Sequence, residues 1–156
     1  MRSIAVAAGL LLAAASLATP AAHAQSVTVE QAWARATAPH ASAAAVYVTI
    51  TAGMADRLIG GSTPIAATVQ VHDTVMDNGV MRMMPVPGGL LLPKGSKVTL
   101  APGGYHLMLM TVKQQLQPGE RFPLTLHFAY EPAVSVTVVV AAAGASAPPL
   151  GAMRMP

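Results

Sequence analysis

The chain has 156 residues, a formal net charge of +3 and only 10% charged residues. That is enough for one domain with a real core and too little for two. A weakly charged surface without a basic run argues against nucleic acid and against an anionic membrane as partners. Cysteine is absent, which removes disulfides, thiol redox chemistry and the thiolate of a blue-copper centre.

In chain order, Arg2 precedes an apolar Ala/Leu run from Ile4 to Leu17, and Ala22-His23-Ala24 forms a small-x-small cleavage site. Residues 1–24 therefore read as a secretory signal peptide, the run being too short for a retained membrane span. No Cys follows the run, so a lipoprotein anchor is not expected. The mature protein is expected to start near Gln25 and to be soluble in a bacterial periplasm or outside the cell.

From there the pattern is short and extended. Val27, Val29, Ala32 and Trp33 suggest a first strand, and Ala44 to Thr51 is β-branched and aromatic, hence a second. Arg57 to Ser62 is a weaker candidate, broken by Gly60-Gly61. Ala66 to His72 alternates, with Val69 and Val71 on one face and Thr68, Gln70 and His72 on the other. Asp77-Asn78-Gly79 is a turn signal that makes Val80 to Met84 the return strand. Turns at Gly88-Gly89, Pro93-Lys94-Gly95 and Pro102-Gly103-Gly104 separate Leu90–Leu92, Lys97–Leu100 and Tyr105–Val112.

Phe122, Leu124, Leu126 and Phe128 then recur at period two, as do Val134, Val136, Val138 and Val140. Helical periodicity is missing throughout. Short strands with frequent turn signals predict an all-β fold, an antiparallel β-sandwich or Greek-key barrel over residues 25–141. From residue 142 to 156 the composition becomes Ala, Gly, Ser, Pro and Met, which reads as a flexible tail.

Between Val71 and Thr111 lie two histidines, His72 and His106, and six of the chain's 10 methionines: Met76, Met81, Met83, Met84, Met108 and Met110. Thioether and imidazole without thiolate suit Cu(I) better than hard cations or structural zinc. On a strand, His106 and Met108 share a face while Leu107 and Leu109 share the other. Met is a common core filler, so His-x-Met alone would be packing. Here the methionines lie opposite the Leu face, where a sandwich should be polar. With His72 and Met83 added, metal binding is the better reading.

Other residues carry less. His127 alternates out of the apolar set and His40 lies in a Pro-flanked loop, so neither is expected to bind metal. Asp73 and Asp77 are read as solvated carboxylates around the turn. Met153 and Met155 form a Met-x-Met that is a candidate for a second copper, although plain tail sequence is the preferred reading. Neither a Ser/His/Asp grouping, nor paired carboxylates, nor a phosphate loop is present, so an enzyme is not expected.

At these residues the sequence resembles the PCuAC family of periplasmic copper chaperones. The family pattern is a His, a Met about ten residues on and a His-x-Met some twenty further, matched here by His72, Met83, His106 and Met108. Met84 is the rival to Met83: it fits the second interval better, the first worse, and points to the opposite face. The segments G-V-M-R-M-M-P-V, P-G-G-Y-H-L-M-L-M and A-W-A-R-A also resemble the family.

The resemblance implies a cupredoxin-like β-sandwich that holds Cu(I) and delivers it to the CuA centre in cytochrome c oxidase subunit II. It also implies action alongside a thioredoxin-like copper metallochaperone, and a monomer is expected. A copper buffer or resistance protein without a dedicated acceptor, or a metal-free structural sandwich, are the alternatives.

Overall fold

The computed structural model describes residues 26–152, so the predicted signal peptide and the Met153/Met155 pair lie outside the described residues. Ten strands form in chain order: β1 (Val27–Arg35), β2 (Ala43–Ala52), β3 (Asp56–Ser62), β4 (Ala66–Asp77), β5 (Val80–Pro85), β6 (Leu90–Leu92), β7 (Lys97–Thr99), β8 (His106–Val112), β9 (Arg121–Phe128) and β10 (Val134–Ala141). Among the described residues one 3₁₀ turn, Leu150–Ala152, is the only helical element. None of these residues belongs to a helix long and apolar enough to cross a membrane.

The strands pair in the order β5-β4-β8-β2-β1-β10-β9-β3-β6, with β7 on β2, and a further bridge joins β3 to β4. That bridge, Gly61 to Val69, closes β4-β8-β2-β1-β10-β9-β3 into a barrel. Closure leaves only the short outer strands β5, β6 and β7 with open edges, and open edges are the usual hazard of β proteins. Gly61 is required there: a Cβ on it would stand 2.6 Å from the Thr125 carbonyl oxygen. The all-β expectation is borne out. One pair, β1 with β10, runs parallel, a feature that alternation alone does not reveal.

Period-two alternation builds the core. Val46, Val48 and Ile50 from β2, Leu107 and Leu109 from β8, Phe122, Leu124 and Leu126 from β9, and Val136 and Val138 from β10 are all buried inside the barrel. At about 25 cal/mol per Å² of apolar area removed from water, this interior is the dominant stabilising term in a chain without cysteine.

A second, smaller cluster sits outside the barrel wall. In β1 the register slips between Glu30 and Trp33, and Gln31 adopts a φ of 53°. This bulge switches which residues face inward: Val27 lies in the main core before it, Ala32 and Ala34 after it. Trp33 is thereby turned outward, where it packs with Tyr47, Val139, Ala141 and Ala152. The segment after β10 thus carries a fully buried residue, Ala152, against this outer face.

Candidate metal centre

The outer face continues from that cluster across β8 and β4. Trp33 pairs with Tyr47, and the two rings lie 4.7 Å apart. Pairing of Ala45 with Met108 and of Val46 with Leu107 sets Tyr47 beside His106, ring centroids 6.5 Å apart. His106 in turn stands directly opposite His72 in the β4–β8 ladder, and their ring centroids are 5.8 Å apart. One row of four rings therefore crosses four strands, ending with two imidazoles.

Both imidazoles are buried, His72 to 6% and His106 to 1% exposure. Each makes one hydrogen bond. Nε2 of His72 lies 3.0 Å from Oε1 of Gln70, and Nδ1 of His106 lies 3.1 Å from the carbonyl oxygen of Gly104. Both partners accept, so each of these nitrogens carries the proton and donates. The remaining nitrogens, Nδ1 of His72 and Nε2 of His106, are buried and have no partner. A buried acceptor left unpaired is costly, and two of them on neighbouring rings, with centroids 5.8 Å apart, are what a shared electrophile would satisfy. Metal-bound histidines characteristically donate the other ring N–H to an oxygen acceptor, as both do here.

Gly104 does more than orient His106. Its carbonyl also accepts from the backbone N–H of Thr74 at 3.3 Å and the Thr74 hydroxyl at 3.1 Å. The loop before β8 is thereby tied to β4 just beyond His72. Burial, and then the neighbouring His106, push the pKa of His72 below its ordinary value. A depressed pKa keeps that ring neutral, the form that can bind a metal. Burial raises the pKa of Tyr47, partly opposed by Arg35, so its hydroxyl stays protonated.

The methionines divide by register. Met108 pairs with Gln70, which sets it on the His106 face and diagonal to His72; it is half-buried. Met83 pairs with Thr74, so it shares the His72 face from the next strand, and it is exposed. Met84 pairs with Asp73 and occupies the opposite face. Among the described residues, no group of three or more His, Cys, Asp or Glu converges. The side chains that share the face of the imidazole pair include the thioethers of Met83 and Met108, a soft donor set.

The residues given less weight lie elsewhere. Asp77 forms an ion pair with Arg82 at 3.2 Å. His127 is on β9, with Nε2 3.3 Å from the Ser62 hydroxyl. Gln70 and Gly104 were not singled out from sequence. Gln70 had a signal, its position two residues before His72 on the same face, but Gly104 acts through a backbone carbonyl that any residue possesses.

Residues 27–140 match the family described as putative lipoprotein LpqE-like. The chain is 37% identical over 114 residues to the putative lipoprotein Lxx21020 of Leifsonia xyli subsp. xyli, covering 73% of this chain and 69% of that protein. It is similar in structure to the copper-bound PCuAC domain from PmoF2, with a TM-score of 0.63 and 27% identity over 77% of this chain and 97% of that domain. The solution structure of CuI-DR1885 from Deinococcus radiodurans gives a TM-score of 0.61 and 30% identity, covering 78% and 83% respectively. By the extent of the family match, and by a barrel shared with PCuAC domains, the chain belongs to the PCuAC-related LpqE-like family.

Proposed function

We propose that this protein is a Cu(I) metallochaperone of the periplasm, holding copper between His72, Met83, His106 and Met108 and delivering it to the CuA centre of cytochrome c oxidase. The observation that carries the reading is the pair of buried, unpartnered nitrogens, Nδ1 of His72 and Nε2 of His106, on rings whose centroids lie 5.8 Å apart. Its support from similarity is that copper-bound PCuAC and CuI-DR1885 share this fold. A thioredoxin-like copper metallochaperone is the expected co-worker at the same acceptor. Export is supported by the lipoprotein name of the Leifsonia relative, although no cysteine exists here to carry a lipid.

The donor set suits transfer. Imidazole and thioether are neutral, so an acceptor can displace them one at a time without separating charge. Half-buried Met108 and the buried imidazoles hold the ion, while exposed Met83 is the ligand an acceptor reaches first. Cu(I) is cargo in this scheme, and no reaction is catalysed.

The test is competition for Cu(I) against a chromophoric chelator, followed by transfer to an apo CuA domain. Wild-type protein is expected to bind one Cu(I), and His106→Ala combined with Met108→Ala to abolish tight binding. Undiminished affinity in that variant would overturn the site. Tight binding without transfer to the CuA domain would instead identify a copper buffer.

A further inference from the structure

Beyond His72, β4 no longer pairs with β8, and it continues with β5 as a two-stranded arm whose residues are exposed or half-buried. Its turn is the two-residue Asn78-Gly79, with φ of 49° and 80°, the type I′ geometry that matches strand twist. A two-residue turn makes Asp77–Val80 the hydrogen-bonded pair beside it. Met76–Met81 then forms a non-hydrogen-bonded pair, the kind in which side chains approach most closely, with Cβ atoms about 4.5–5.5 Å apart. Thr74–Met83 is the next pair on that same face, and His72 the next residue inward.

The two faces of the arm differ. One carries Asp73, Val75, Asp77, Val80, Arg82 and a single methionine, Met84, with the Asp77–Arg82 ion pair. The other carries a line of thioethers from the tip to the imidazole pair. Met76, Met81 and Met83 are 67%, 60% and 53% exposed, so packing does not account for them. Exposed apolar side chains cost solvation, and soft sulfur donors aligned in this way are a cluster in search of a ligand.

We propose that Met76 and Met81 form a second, weaker site for a soft monovalent ion at the tip of the arm, from which the ion passes through Met83 to His72 and His106. Two sulfurs suffice, because a d¹⁰ ion accepts two-coordination. Passage is ligand exchange only: the ion keeps its single positive charge, the thioethers stay neutral, and no oxidant or reductant is needed. The onward step rests on the copper reading above; the tip site itself does not.

Ag(I), a redox-silent soft ion, is the probe, titrated into full-length protein labelled at the methionine methyl carbons and followed by NMR. The methyls of Met76 and Met81 are expected to shift together in a step that takes up one further equivalent, after the step that moves the His72 and His106 ring resonances. Met76→Leu should abolish the shift of Met81 as well, while the histidine step persists. Methyls that stay still through excess Ag(I), or a Met81 shift undiminished in Met76→Leu, would overturn the tip site. Silent histidine rings would instead count against the imidazole site, a result read on separate resonances.

Discussion

Oε1 of Gln70 accepts from Nε2 of His72 across 3.0 Å, and this one contact leaves Nδ1 of His72 as the buried nitrogen without a partner. Partners that set the tautomer of a ligating histidine typically contribute about 10–100-fold to metal affinity. Gln70→Leu is therefore expected to weaken Cu(I) binding by about tenfold or more with the fold intact. Gln70→Glu keeps an acceptor oxygen at the same reach and should restore most of the loss. Equal affinity in wild-type and Gln70→Leu proteins, measured by chelator competition, would remove Gln70 from the site.

The depressed pKa of His72 gives a second expectation. Burial first, and His106 second, hold it below the ordinary value of 6.5, so the unfolded chain binds the proton more readily than the folded protein. Stability linked to His72 is then complete above pH 6.5 and declines as the pH falls from there toward the folded-state value. NMR titration of the metal-free protein should place the His72 midpoint below 6.5, and His106→Ala should move it part of the way back. A midpoint at or above 6.5 would contradict the burial seen here.

Asp56 is buried, and its carboxylate accepts four backbone N–H groups: Arg57 at 2.6 Å, Ala129 at 3.1 Å, Tyr130 at 3.0 Å and Glu131 at 2.9 Å. These bonds fold the loop between β9 and β10 onto the start of β3. Asp56→Ala strands several donors, and a loss of about 3 kcal/mol is expected. Chemical denaturation would show it, with Cu(I) affinity of the folded protein unchanged. A loss below about 1 kcal/mol would mean that water replaces the carboxylate.

Gly61 closes the barrel where β3 meets β4. A methyl group there would meet the Thr125 carbonyl at 2.6 Å, and backbone cannot yield as a side-chain tip can. Gly61→Ala is expected to cost about 1–3 kcal/mol, seen as a lowered Tm. An unchanged Tm would show that the β3–β4 seam opens freely.

Much of this protein was determined by local sequence. Alternation at period two set the inward face of β8 at Leu107 and Leu109 and left His106 and Met108 outside, because a pleated strand sends neighbouring side chains to opposite sides whatever surrounds it. The Asn78-Gly79 turn likewise set the β4–β5 register, and with it the choice between Met83 and Met84 on the His72 face.

Only the tertiary structure decided the rest. The bulge at Gln31 turns Trp33 outward, the single bridge at Gly61 and Val69 closes the barrel, and the ladder between β4 and β8 stands His72 against His106. These depend on hydrogen bonds between segments distant in sequence, whose register no local pattern encodes. The same holds for the proton on each imidazole: a side chain and a backbone carbonyl, brought to it by folding, determine which nitrogen remains free.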